Sequence, residues 1–68
     1  MVDTQLLQEK IAQSGLKREY IANSLGLSRE GLWKKLREGT EFTPSQIKIW
    51  CDLLRIEDPD ERKQIFLI

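Results

Sequence analysis

The apolar spacing between Arg18 and Arg37 constrains this chain more than any other stretch of it. Ile21, Ala22 and Leu25 fall on one side of a helix that turns about every 3.6 residues. Gly26 follows at once, and glycine readily takes the positive φ that ends a helix and redirects the chain. Leu27 is placed to plug the turn from inside, and Ser28 has the side chain of a good N-cap. Leu32 and Leu36 then give a second helix its apolar side. Residues 18–37 therefore read as helix, tight turn, helix.

The remainder reads as helix too. No period-two alternation marks a strand, and no repeat, low-complexity run or linker divides residues 1–68. A first helix is expected from about Thr4 to Ser14, capped by Asp3 or Thr4, with Leu6, Leu7 and Ile11 apolar and Gly15 as its stop. The second spans about Lys17 to Leu25, and the third runs over residues 28–37. Thr43-Pro44-Ser45-Gln46 is a capping-box pattern with proline at the first helical position, and Phe42 and Ile47 have hydrophobic-staple spacing. Ile47, Trp50, Cys51 and Leu54 continue at i, i+3, i+4 and i+7. Asp58-Pro59-Asp60-Glu61 opens a fifth helix, with a carboxylate three residues past its cap. The expected fold is all-α, one compact five-helix domain over residues 1–68. Its last residues, Ile65 to Ile68, either fold back on the core or offer Phe66, Leu67 and Ile68 as a dimer contact.

Composition narrows the function. There is no histidine and a single cysteine, so neither a zinc site nor a histidine-dependent triad has material to be built from. A 68-residue domain also leaves little room for a substrate cleft beside its core. The chain is expected to be neither an enzyme nor a carrier of a cofactor or metal. Cys51 cannot form an internal disulfide and lies on an apolar stripe, so it reads as a small core residue in a reducing cytosol. No apolar run approaches the ~20 residues of a membrane span. Met1 to Gln5 lack the basic start of a signal peptide.

The net charge of zero hides a partition. Residues 17–37 carry Lys17, Arg18, Arg29, Lys34, Lys35 and Arg37 against Glu19 and Glu30, a surplus of +4, whereas residues 38–68 carry −3. A basic segment coinciding with the helix-turn-helix is what phosphate contact requires. On a wheel with Leu32 at zero, Leu36 falls near 40°, while Glu30, Lys34 and Arg37 fall at roughly 160°, 200° and 140°, facing away from the core. Ser28 and Arg29 sit at the tip that enters the major groove in helix-turn-helix docking. Arg29 can donate a bidentate pair to guanine, Lys34 can reach the same edge, and Glu30 can accept from cytosine. Lys17, Arg18, Lys35 and Arg37 are placed for phosphates, which supply affinity without sequence information. Trp33, at roughly 100°, flanks the core and has two readings, partial burial or stacking on the DNA backbone. Tyr20 has the same two.

At these residues the chain resembles the Cro/CI-type (Xre-like) helix-turn-helix family of phage and bacterial repressors. The resemblance is carried by Ile21-Ala22-x-x-Leu25-Gly26-Leu27-Ser28, then Leu32 and Leu36, and extends more loosely over all five helices. It is closest to small prophage regulators with Lys-Leu followed six residues later by Phe, here Lys35-Leu36 and Phe42. The resemblance implies a lambda-repressor-like domain that regulates transcription as a cytoplasmic, nucleoid-associated protein, binding double-stranded operator DNA as a homodimer. It places the family's base contacts on Ser28, Arg29, Glu30 and Lys34, and its phosphate contact at the start of helix two on Arg18. Three positions depart from the family pattern. Lys17 stands where Ser or Thr usually caps helix two, Lys35 occupies a usually apolar position with Leu36 taking over its packing, and Gly39 comes one residue late.

A different class of function stays open. The same fold can serve as a protein-interaction module, such as an antitoxin component or anti-repressor. The neutral net charge and the acidic stretch Glu57-Asp58-Pro59-Asp60-Glu61 suit a protein partner.

Overall fold

Capping chemistry sets where most of the helices begin. In the computed structural model, which describes residues 2–39 and 41–67, the chain forms α1 (Thr4–Ser14), α2 (Arg18–Ser24), α3 (Arg29–Glu38), α4 (Pro44–Leu54) and α5 (Pro59–Phe66), with no strand among the described residues. Asp3, not Thr4, caps α1, its carboxylate accepting from the Leu6 amide at 3.1 Å. Ser28 caps α3 by accepting from the Gly31 amide at 2.9 Å. At α4 the capping box is complete: Thr43 Oγ1 accepts from the Gln46 amide at 3.2 Å, and the Thr43 amide donates to Gln46 Oε1 at 3.0 Å. Asp58 caps α5 through the Asp60 amide, again with proline behind the cap. Glu61, the carboxylate three residues past that cap, pairs with Lys10 of α1 at 2.9 Å.

Helices of 7 to 11 residues are marginal by themselves, so packing must hold them. The fully buried side chains Leu7, Ile21, Leu32, Leu36, Trp50 and Ile65 come from all five helices. Each contributes about 1.5–3 kcal/mol of burial, so the helices hold one another through a shared core. α1 is the hub and packs against α3, α4 and α5, while α2 packs on α3. The Asp3 amide donates to the Ile65 carbonyl at 2.7 Å, tying the segment before α1 to α5 and burying Val2. The radius of gyration, 10.7 Å, matches the roughly 11 Å of a well-packed chain of this length.

Phe42 meets Trp50 edge to face, with ring centroids 5.6 Å apart and planes at 71°, which locks the α3–α4 connection onto α4. The Trp50 Nε1 atom is buried and has no hydrogen-bond partner. Cys51 is half-buried beside this cluster with a free thiol. Burial pushes that thiol above its ordinary value, with Arg62 lowering it and Asp52 raising it, which favours the neutral thiol.

Two expectations need correcting. α2 is one residue shorter at each end than the apolar pattern suggested. Phe66, offered as a dimer contact, is only 2% exposed and belongs to the chain's own core, because the last turn of α5 rotates it inward with Ile65. Leu67 is exposed, and Ile68 lies outside the described residues.

Candidate nucleic-acid interface

The tight turn of the helix-turn-helix is built from backbone hydrogen bonds. The Leu27 amide donates to the Ala22 carbonyl at 2.9 Å and the Gly26 amide to Asn23 at 3.1 Å, the two bonds of a Schellman ending. Gly26 makes this ending with φ at 72°, a conformation that costs other residues steric energy. Leu27 packs against the core beneath the turn. α3 therefore leaves the turn in one direction, with Leu32 and Leu36 each 1% exposed.

That orientation places the polar side of α3 in solvent. Glu30, Lys34 and Arg37 are exposed, as the wheel predicts, and Arg29 is exposed at the helix start. These charges also suit the helix itself, since Glu30 lies in the first turn and Lys35 and Arg37 in the last, where the macrodipole favours them. Ser28 is exposed as well, but its oxygen is occupied by the cap. A Cβ added to Gly31 would lie 3.0 Å from Ser28 Oγ, so the smallness of Gly31 is tied to that cap.

Three of the predicted contact residues converge. Lys17, Arg18 and Arg29, with Glu19, line an open cleft of about 330 Å³ between the start of α2 and the start of α3. Three cations against one carboxylate leave it positive. Within the group Arg18 has a defined position: its guanidinium carbon lies 3.8 Å from the centre of the Trp33 ring, well inside the roughly 6 Å limit of a cation–π contact. Its Nη1 atom is shielded from solvent and has no hydrogen-bond partner. Trp33 is 42% exposed, so it keeps much of its surface in water while supporting the arginine. Tyr20 is exposed on α2.

Lys35 does not join this group. Its ammonium donates to the Glu41 carbonyl at 3.4 Å and lies 5.4 Å from the centre of the Phe42 ring, so it braces the α3–α4 connection. The exposed Arg37 lies in the last turn of α3 and does not line the cleft either. The four residues assigned to phosphates thus divide: Lys17 and Arg18 meet at the cleft, while Lys35 and Arg37 sit near the far end of α3. Arg29, assigned to a base, shares the cleft with the first pair. Lys17 makes no side-chain cap bond to α2, as its departure from a Ser or Thr cap implies.

Trp33 lies neither fully in the core nor free in solvent but serves as a platform for Arg18, which its place on the wheel does not reveal. Fifteen positions and a turn separate the two residues, and no local periodicity reports a contact between different helices. Among the described residues no cluster of His, Cys, Asp and Glu is arranged to hold a metal ion, and no helix is long and apolar enough to cross a membrane. Comparison of the chain with protein-family models, curated proteins and solved structures finds no match.

Proposed function

We propose that this chain is a sequence-specific DNA-binding transcriptional regulator with a lambda-repressor-like helix-turn-helix domain, of the Cro/CI (Xre-like) kind that its sequence resembles. α3 is the recognition helix, entering the major groove of double-stranded DNA with Ser28, Arg29, Glu30 and Lys34 toward base edges. Lys17 and Arg18 engage the backbone on one side, and Arg37 on the other. Lys35, whose ammonium keeps donors beyond the one on the Glu41 carbonyl, is a further backbone contact. The observation that carries this reading is the division of α3, whose leucines are buried while Glu30, Lys34 and Arg37 stand in solvent and Arg29, at its start, lines a basic cleft.

A single recognition helix spans few base pairs, so the reading includes a homodimer on two half-sites about 34 Å apart, in the cytoplasm at the nucleoid. With Phe66 in the core, Leu67 is the described residue left from the C-terminal contact first considered.

Selection of bound duplexes from a random DNA pool at physiological salt tests the proposal. A palindromic motif is the expected result, with binding that weakens on a log–log salt plot by about 0.9 per phosphate neutralised. Reversing the charge of Arg29 and Lys34 together abolishes the preference; unchanged selection by that variant would falsify base readout by α3. Failure of any sequence to enrich shifts weight to the protein-interaction module, a reading supported by the neutral net charge and the exposed acids Glu57, Asp58 and Asp60.

A further inference from the structure

Arg18 is held in an arrangement that leaves it incomplete. A guanidinium is a planar fork of five N–H donors, and stacking one face on an indole fixes that plane while using none of them. Arg18 makes this stack on Trp33 at 3.8 Å, and its Nη1 is closed off from water with no acceptor. Because Nη1 is closed off, an anion would be met by the other donors of this half-buried guanidinium. Arg18 lines the cleft already described, where Lys17 and Arg29 add two further cations and Glu19 opposes them. The held guanidinium and the local positive charge call for the same ligand chemistry, a tetrahedral oxyanion that accepts from several donors at once.

We propose that Trp33 is the positioning residue of a phosphate cleft. Its indole holds the Arg18 guanidinium so that Arg18, Lys17 and Arg29 together clamp one phosphate of the DNA backbone, and Trp33 itself does not touch the nucleic acid. This rests on the DNA-binding reading above and deepens it in two ways. Trp33 becomes part of the interface through Arg18, and Arg29 becomes a residue that joins the backbone clamp to the reading end of α3. A lysine at position 18 does not substitute, because an ammonium has no plane to stack.

The test is a double-mutant cycle on affinity for the selected duplex, with thermal unfolding recorded for each variant. Trp33→Leu weakens binding about 2- to 5-fold, the size of a surface cation–π contact, and lowers the unfolding midpoint by no more than a few degrees. Trp33→Phe, which keeps an aromatic face, restores most of the affinity. Arg18→Lys loses as much as Trp33→Leu, and Arg18→Ala loses more and lowers the salt slope by about 0.9 per half-site. In the Arg18→Ala background Trp33→Leu has no further effect. Equal loss in both backgrounds would mean that the indole contacts DNA directly, and the positioning role would be wrong; so would full affinity in Trp33→Leu.

A titration with inorganic pyrophosphate, followed on the Trp33 indole N–H and the Arg18 Nε–H by NMR, separates this inference from the DNA reading. Both resonances shift in the native protein, and in Trp33→Leu the Arg18 response needs several-fold more pyrophosphate. That result with no duplex bound would defeat the DNA reading and keep the cleft. Duplex binding with no pyrophosphate response and an additive cycle would do the reverse.

Discussion

α2 and α4 start in opposite ways and end equally buried. α4 opens with a reciprocal capping box and a proline, whereas α2 opens on Lys17, which makes no side-chain cap bond. Yet Ile21 of α2 and Trp50 of α4 are both 0% exposed. α4 is specified by its own residues, and α2 is held in place by α3 and the shared core. The weak start of α2 coincides with the basic cleft, where Lys17 supplies a cation in place of a cap. The contrast suggests that local stability was given up at the position where the proposed interface needs charge.

The largest effect expected would test whether the two regions share one core. Ile21→Ala and Trp50→Ala each remove about 2–5 kcal/mol, a large part of the stability of so small a domain. Circular dichroism during chemical unfolding should show all helical signal lost in one transition for both. A variant of Ile21 that melted α2 alone, with α4 intact, would break the comparison.

The next pair exchanges the two helix starts. Thr43→Ala removes the α4 cap and costs about 1 kcal/mol, leaving DNA affinity of the folded protein unchanged. Lys17→Ser gives α2 the cap it lacks and stabilises by up to about 1 kcal/mol, while weakening DNA binding with a smaller fall in salt slope than Arg18→Ala, because Arg18 and Arg29 still hold the shared phosphate. Opposite signs in melting temperature and in affinity for Lys17→Ser would sharpen the contrast most; higher stability at undiminished affinity would remove Lys17 from the interface.

The two helix ends offer a third comparison. α2 closes through Gly26, and α4 closes through Arg55, whose φ is 55°; there the Arg55 and Ile56 amides both donate to the Cys51 carbonyl, the latter at 2.9 Å. A left-handed position costs a non-glycine residue roughly 1 kcal/mol. Gly26→Ala should therefore destabilise by about that amount, and Arg55→Gly should stabilise by a similar amount, both readable as shifts in the unfolding midpoint. The smallest effect belongs to the pair joining α1 to α5. Lys10→Ala removes a partly exposed ion pair and costs less than about 1 kcal/mol, a loss that shrinks further at high salt.

Most of the helical architecture was legible because its signals act within a few residues. Ser28 reaches Gly31, Thr43 and Gln46 reach each other, and Gly26 turns its own backbone. The same holds for the division of α3, since Leu32 and Leu36 point to the core and Lys34 to water by helical period alone. Signals between elements were not legible. Glu61 has capping-box spacing yet reaches Lys10, and the Lys35 ammonium meets the Glu41 carbonyl and the Phe42 ring across the α3–α4 connection.

By itself, the sequence determined where helices start and stop, which leucines face inward, and that positive charge gathers on residues 17–37, because caps, periodicity and composition are properties of neighbouring residues. Only the tertiary structure decided that Phe66 is core while Leu67 is surface, that Lys17, Arg18 and Arg29 share one cleft, and that Arg18 rests on Trp33. Those outcomes depend on how α2, α3 and α5 are set against the rest of the core. A stack between two side chains fifteen residues apart exists only once Gly26 has turned the chain and packing has fixed the angle between the helices.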